Sequence, residues 1–240
     1  GDVIKTNPRQ RLMFPAEGTL LGTDELGRDV FARIIWGGKI SITVSLLSVA
    51  FSFVAGGVLG AVAGYYGDKL DGFIMRCIDV FMAIPYMLLM ITLVSIMSPS
   101  IVNLALAIGI SGIPSNARMV RAQVLSIKGF EYIEAVKAQG AGDFRIIASH
   151  IIPNAVSPLI SQFVLNIGGS IMSISGLSFI GLGVQPPNPE WGAMLSSGRA
   201  YIRDCWHIMA FPGIAIILTI TALMLVGDGL RDALDPRMKS

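Results

Sequence analysis

The polar side chains best placed for chemistry form a stripe along one apolar stretch of the chain. They follow one another at spacings of four, four and three residues, which brings them to one face of a helix: Gln162, Asn166, Ser170 and Ser173. Amides and hydroxyls on such a face either line a polar translocation path or hydrogen-bond to neighbouring helices. Both roles are open on the sequence alone.

The apolar stretches lack the residues that catalysis or metal binding would need. An intramembrane enzyme needs a nucleophile, base or metal ligand set at matching depth, and no pair of Asp, Glu or His residues occurs there. An ion-coupled secondary transporter would carry intramembrane acids and inverted repeats, and neither is found. His150 and His207 fall on opposite sides of the topology derived below, so each is expected to be structural and no metal site is predicted.

The apolar stretches themselves predict an all-α integral membrane protein. The chain is 53% hydrophobic and only 14% charged, too few charges to cover the surface of a soluble domain of 240 residues. The mean hydropathy of +0.67 agrees. Windows without Asp, Glu, Lys or Arg each exceed the roughly 18 residues that suggest a span, and Ser98-Pro99-Ser100 divides the second of them. Five spans are predicted, near 42–64, 80–97, 101–117, 156–183 and 208–227.

Charge distribution between the spans predicts the topology. The segments 68–79 and 118–150 and the tail share one side, with ten of the 18 Lys and Arg residues, whereas five lie close to a span on the other side. By the positive-inside rule the first side is cytoplasmic, so residues 1–41 are extracytoplasmic and the tail 232–240 is cytoplasmic. A net charge of +2 without a basic run argues against nucleic-acid binding.

Residues 26–41 show helical amphipathicity before the first span. Apolar residues fall on one face of a helix and charged residues on the other. Thr23 or Asp24 can cap the first turn. Trp36 and Lys39 suit the headgroup region, which favours a helix lying on the membrane surface. A helix packed on the protein's own extramembrane face is the alternative. The charged face consists of Glu25, Arg28, Asp29 and Arg33.

A stripe of small residues in the first span predicts close helix packing. Gly56, Gly60 and Gly64 recur every four residues, which lets the backbone of a second helix approach. The partner helix could belong to this subunit or to another one.

The cytoplasmic segment 118–150 reads as two short helices joined by glycines. Phe130 to Gln139 forms the first, with alanines on one face and Gly140 and Gly142 after its end. Asp143 is predicted to cap a second helix, Phe144 to Ile152, that stops at Pro153. Such a unit is a candidate docking surface, although a plain linker would look similar.

Several motifs together resemble one family across nearly the whole chain. Glu134-Ala135-Val136, Gly140 and Ile152-Pro153 resemble the loop E-A-A-x3-G-x9-I-x-L-P of ABC importer permeases, departing from it at Val136, His150 and Ile152. Three further segments resemble the dipeptide, oligopeptide and nickel group of those permeases: residues 21–41, 179–192 and 229–237.

The resemblance implies a type I ABC importer transmembrane domain. It implies five helices in this chain where the family usually has six, with the first of the six expected to be missing here. It also implies an extracytoplasmic segment at 1–41 and a transmembrane domain over 42–231. It also implies a multi-pass subunit of a bacterial or archaeal inner membrane, in contact with lipid. The coupling loop, about 118–153, would act through Glu134, Ala135, Ala138, Gly140, Ile152 and Pro153.

The resemblance also implies the partners and the substrate class. Expected partners are a second homologous permease subunit, two ABC ATPase subunits and an extracytoplasmic substrate-binding protein. ATP and Mg would bind the ATPases, because Gly37-Gly38-Lys39 lacks the upstream Gly of a phosphate-binding loop and is followed by Ile40. Peptides are the first choice of substrate and nickel chelates the second. Glu190, Trp191 and Arg199 are expected contacts of the binding protein.

Overall fold

The structure, a computed structural model, describes residues 3–16 and 18–234. In this part of the chain no strand forms, and two isolated β-bridges stand beside the helices. The fold is therefore all-α. The helices are α1 (Val30–Tyr66), α2 (Asp68–Met82), α3 (Tyr86–Ile96), α4 (Ile101–Lys128), α5 (Glu131–Ala138), α6 (Asp143–Ile146), α7 (Ile152–Phe179), α8 (Trp191–Gly198) and α9 (His207–Leu234).

Three helical stretches are long and apolar enough to cross a membrane: Val30–Tyr66, Asp143–Phe179 and His207–Ala233. They contain the predicted spans 42–64, 156–183 in large part, and 208–227. The predicted span 80–97 is instead broken, because α2 and α3 meet at an angle of 83°. Pro85 lies in the break, where its missing N–H and its effect on Ile84 oppose a continuous helix.

The fourth helix also departs from the prediction. The predicted span 101–117 lies inside α4, which continues without interruption to Lys128. The helix falls short of the hydropathy of a span because its first 18 residues include Asn103, Asn116 and Arg118. The predicted cytoplasmic segment 118–150 therefore starts as the last turns of a long helix rather than as a loop.

The predicted helix over residues 26–41 begins later than expected and is not separate from the first span. Helix α1 begins at Val30 and runs directly into the first span. Its cap is Asp29, whose carboxylate accepts the Ala32 N–H at 3.0 Å, and not Thr23 or Asp24. Arg28 and Arg33, expected on an exposed charged face, are 6% and 5% exposed. Both guanidinium groups pair with the buried carboxylate of Asp24, at 2.7 and 3.3 Å.

The helices form two compact units. One comprises the described residues of Gly1–Ser48, Met90–Ile108 and Ile167–Met224. Its core is apolar and includes Val44, Met90, Leu104, Ile174 and Leu177. Helix α8 packs closely here, since a Cβ atom on Gly192 would lie 2.3 Å from the Ser175 carbonyl oxygen.

The other unit comprises Val49–Leu89, Gly109–Asn166 and the described residues of Leu225–Ser240. Its core joins Tyr65, Val124, Ile133, Ile146 and Ile151, so the ends of α1 and α4 share buried contacts with the segment that follows them. This unit holds the predicted coupling loop.

The glycine stripe lies against α4 of the same subunit. A Cβ atom would lie 2.8 Å from the Ile113 carbonyl oxygen at Gly56, 2.3 Å from the Ala117 oxygen at Gly60 and 3.0 Å from the Arg121 oxygen at Gly64. No side chain fits at the first two positions without moving the α4 backbone. The two helices therefore touch backbone to backbone over two turns.

We expect Gly60→Ala to destabilise the protein by about 1–3 kcal/mol, because the added methyl group overpacks the α1–α4 contact. Gly57→Ala is the matched control, since a Cβ atom there meets nothing within 4 Å on the same helix. Alanine should leave stability at that position unchanged or raise it by up to about 1 kcal/mol. Unfolding in mixed detergent micelles measures both, and equal midpoints for the two variants would contradict the contact.

Candidate functional site

Helix α5 is a short, well-terminated helix with one buried and one exposed face. Ile133 is buried, while Glu134, Ala135 and Ala138 are exposed on the other side. The helix occupies Glu131–Ala138, close to the predicted range. The predicted coupling residues of this helix therefore stand on the surface that a partner could reach.

Gly140 ends α5 in a left-handed conformation. Its φ of +84° suits glycine, because other residues crowd their Cβ atom there. The Gly140 N–H donates to the Lys137 oxygen at 3.0 Å, and the Ala141 N–H donates to the Val136 oxygen at 3.3 Å. These two bonds are those of a Schellman motif. Val136 and Ala141 also pack against the core of this unit, which fixes the direction of the chain after the helix.

The segment after Gly140 differs from the prediction. Gly142, not Asp143, is the N-cap of α6, and the side chain of Asp143 is directed elsewhere. The chain does not stop at Pro153 either. A π-helical turn, Ile147–Ile151, joins α6 to α7, and Pro153 is the second residue of α7. The Ile152 N–H donates to the Ile147 carbonyl oxygen across this wider turn, so the helical stretch continues past Pro153.

The exposed side of the loop carries aromatic rings that the sequence prediction did not use. Phe130 and Tyr132 stack with ring centroids 5.9 Å apart, and Phe144 is 85% exposed. These exposed rings, at the start of α5 and on α6, are apolar surface of the kind typical of an interaction site. The predicted Ile152 is also exposed, whereas Ile151 beside it is fully buried.

Tyr65 connects this loop with the ends of α1 and α4. Its ring is buried, and its hydroxyl donates to Asp143 Oδ1 at 2.7 Å. The Lys128 ammonium donates to the Tyr65 carbonyl oxygen at 2.5 Å and lies 5.7 Å from the Tyr65 ring centroid. A cation at the carbonyl end of α1 is favourable for the helix dipole. The contacts border a pocket of about 550 Å³ that Glu134 and Lys137 also line.

Two ion pairs tie α2 to α4. Arg121 donates two parallel hydrogen bonds of 2.5 and 2.6 Å to the Asp71 carboxylate, and Arg118 pairs with Asp79. The Arg121 guanidinium holds the pKa of Asp71, in the polar stretch 68–79 outside the spans, below its usual range by hydrogen bonding. The forked geometry orients α2 more firmly than a single contact would. The sequence shows these charges but not which ones pair.

The polar stripe belongs to a hydrogen-bonded network between helices. Gln162 Nε2 donates to Asn166 Oδ1 at 3.0 Å, and Asn166 Nδ2 donates to Asn116 Oδ1 at 3.0 Å. The buried Asn116 in turn donates to Ser52 Oγ at 2.9 Å. Four side chains from α1, α4 and α7 thus satisfy one another. These contacts favour the hydrogen-bonding role for Gln162 and Asn166.

The two serines of the stripe differ from each other. Ser170 is buried, and its hydroxyl has no hydrogen-bond partner among the described residues. Ser173 is half-buried and donates to the Gly169 carbonyl oxygen of its own helix at 3.0 Å. The structure therefore brings Gln162 and Asn166 into one network and leaves the serines outside the contacts of that network. Asn116 was missed because the other asparagine of α4, Asn103, lies 13 residues earlier and forms no polar stripe with it.

Glu190 and Trp191 are structural, so their expected role as contacts of a binding protein is wrong. Glu190 is fully buried and accepts the Gly192 and Ala193 N–H groups at 3.0 and 2.9 Å, which caps α8. It also accepts the Ser41 hydroxyl at 3.1 Å. Trp191 is 4% exposed and donates to a backbone oxygen of α1. Arg199 is exposed, with its guanidinium 5.7 Å from the Phe179 ring centroid.

Comparison with known proteins identifies the family. A model of the family described as binding-protein-dependent transport system inner membrane component matches residues 56–240. The chain belongs to this family. It is thus a permease subunit of an ABC importer, a transport subunit of the inner membrane.

Alignments with curated relatives cover almost the entire permease. It is 44% identical over 98% of its length to the dipeptide transport system permease protein DppC of Alkalihalophilus pseudofirmus, covering 78% of that protein. It is 46% identical over 94% of its length to the glutathione transport system permease protein GsiD of Pectobacterium atrosepticum, covering 75% of that protein. The expectation of membership in a peptide-permease group is confirmed.

Solved structures share the fold of the permease. A chain of the inward-facing MetNI methionine ABC transporter aligns with a TM-score of 0.73 at 19% identity, over 85% of this chain and 97% of the other. A chain from an amino acid ABC transporter with histidines aligns with a TM-score of 0.65 at 13% identity, over 85% and 95%. The predicted fold class, a type I ABC importer transmembrane domain, is confirmed.

We expect Glu190→Ala to lower the stability of the permease by about 1–3 kcal/mol, because buried N–H groups of α8 lose their acceptor. Asp204→Ala is the control, an exposed acid of the same connection between α7 and α9. Its removal should not change stability measurably. Unfolding in mixed micelles separates the two, and a Glu190→Ala protein as stable as the parent would contradict the capping role.

Proposed function

We propose that this permease forms half of the translocation path for di- or oligopeptides and is driven by a separate ATPase that docks on the loop 118–153. The observation that carries the proposal is the exposed Glu134, Ala135 and Ala138 face of α5, on a helix whose opposite side is anchored by Ile133. Small side chains allow a partner's surface to approach α5 closely, and Glu134 supplies a charge for orientation.

The connections of α5 suit it to transmit movement. Only Gly129 and Phe130 separate it from α4, and the Schellman turn at Gly140 links it to the helical stretch Asp143–Phe179. When the ATPase pair closes, α5 is displaced as a unit, since its termination and its buried face resist local bending. Helices α4 and α7 then tilt, and the path changes from open to the outside to open to the inside. Ile152 and Pro153 mark the junction of the loop with α7.

The proposed assembly contains a second homologous permease subunit, two ABC ATPase subunits and an extracytoplasmic substrate-binding protein. ATP and Mg bind the ATPases. Basic residues near the loop and the tail support a cytoplasmic C-terminus and an extracytoplasmic N-terminal segment. Gln162, Asn166, Ser170 and Ser173 remain our candidates for the path, with the first two acting through a network that could rearrange between the two access states.

Peptides are the proposed substrates because the names of the relatives refer to dipeptide, di/tripeptide and glutathione transport. The same architecture importing nickel chelates is the second candidate, on the resemblance of residues 21–41 and 179–192 to both kinds of permease. Candidates from other classes, an ion-coupled secondary transporter or an intramembrane enzyme, have no intramembrane acid pair to support them.

The substrate is tested by reconstituting the permease with its partner permease, ATPases and binding protein in proteoliposomes. We expect dipeptides to stimulate ATP hydrolysis and to accumulate inside, and nickel chelates to do neither. Stimulation by nickel chelates alone would overturn the peptide assignment. Uptake driven by an ion gradient without ATP would overturn the ATP-driven mechanism itself.

Coupling is tested by placing the same residue at two glycines of the loop. Gly140→Thr forces a β-branched residue into the left-handed region, which costs about 1–2 kcal/mol and displaces α5. We expect uptake per ATP hydrolysed to fall about tenfold while the subunit still inserts and assembles.

Gly142→Thr is the matched control, because its φ of −69° and its N-cap position accept threonine and a Cβ atom there meets nothing within 4 Å. Gly140→Asn should recover most of the uptake, since asparagine tolerates the left-handed region. Normal uptake per ATP in Gly140→Thr would contradict the coupling role of this turn.

A further inference from the structure

We propose that Tyr65 is a positioning residue that fastens the coupling loop to the end of α1, so that movement of the loop reaches α1 directly as well as through α4 and α7. The inference rests on the proposed coupling function of the loop. The observation behind it is a three-way junction of Tyr65, Asp143 and Lys128, made by residues far apart in the sequence.

The chain connects the loop to α4 and to α7 but not to α1. Tyr65 shares an apolar core with Ile133 and Ile146 of the loop, and its hydroxyl adds a directional contact by donating to Asp143 Oδ1 at 2.7 Å. Asp143 is the first residue of α6, so this bond grips the loop just beyond the Gly140 turn. A hydrogen bond to a carboxylate is stronger than one between neutral groups.

The α1 side of the junction is rigid. Tyr65 lies one residue before the end of the helix, and its ring is buried in the core that includes Val124, Ile133 and Ile146. Lys128, at the last position of α4, donates to the Tyr65 carbonyl oxygen at 2.5 Å. The ring therefore cannot swing freely to follow Asp143, and a displaced Asp143 pulls on α1 itself.

The position of the junction suits transmission rather than fold stability. Asp143 is exposed, so water can replace the Tyr65 hydroxyl at little cost to folding. Loss of this bond should leave the core intact, because the ring supplies the buried surface. What changes is the link between loop and α1.

The experiment uses the reconstituted complex and four variants. Tyr65→Phe keeps the buried ring and removes the donor. Asp143→Ala removes the acceptor, whereas Asp143→Asn keeps an acceptor oxygen and loses the charge. Tyr66→Phe is the matched control: this neighbouring ring is half-exposed, and its hydroxyl makes no hydrogen bond among the described residues.

Uptake per ATP hydrolysed is the first measurement. We expect Tyr65→Phe and Asp143→Ala each to lower it about fivefold, with the double variant no worse than either one. Asp143→Asn should recover most of it, and Tyr66→Phe should match the parent. If Asp143→Asn is as impaired as Asp143→Ala, the charge of Asp143 matters rather than the bond, and the proposal fails.

Amide hydrogen exchange with and without nucleotide is the second measurement. In the parent complex, nucleotide should alter exchange in residues 131–146 and at the end of α1, residues 62–67. In Tyr65→Phe the response of 62–67 should become smaller while that of 131–146 stays. A response at 62–67 as large as in the parent overturns the junction. Uptake with no nucleotide response at 131–146 in the parent would overturn the coupling function instead.

Discussion

The backbone contact between α1 and α4 is the constraint on which the rest of the second unit depends. In lipid, apolar side chains gain little from meeting each other, so helices associate where small residues let their backbones approach. Gly56, Gly60 and Gly64 provide that approach. The contact brings Ser52 beside Asn116 at mid-helix, and it brings Tyr65 beside Lys128 at the ends. Both the polar network and the junction with the loop follow from this one packing.

Two buried acids of this permease stabilise the structure by satisfying the donors around them. Glu190 is the clearest case. The sequence analysis expected it to contact a binding protein, but it is fully buried and caps α8. Asp24 pairs in the same way with Arg28, just before α1, and with Arg33, in the first turn of α1. Each would be costly to bury unpaired, so each marks a place where the fold is tightly specified. Polar residues in loops of membrane proteins thus need not face a partner.

Local signals predicted helix α5 well and the segment that follows it poorly. The glycine after α5 needs no tertiary information, because a left-handed termination is a local property of Gly140. Asp143 was expected to cap α6, yet its side chain binds Tyr65, 78 residues earlier in the chain. Pro153 was expected to end a helix, yet the preceding π turn lets the helix continue. In both cases a longer-range or irregular feature replaced the local preference.

The sequence by itself determined that the chain is a helical membrane protein, where the glycine stripe and helix α5 lie, and which family the motifs resemble. These follow from periodicity, hydropathy and backbone preference, which act over a few residues. Only the tertiary structure decided that the glycines face α4, that Asn116 completes the polar stripe and that Arg121 grips Asp71. Which polar side chains pair with each other depends on which helices meet in the fold. The free energy of a buried polar group depends on its hydrogen-bond partner more than on its neighbours in the chain.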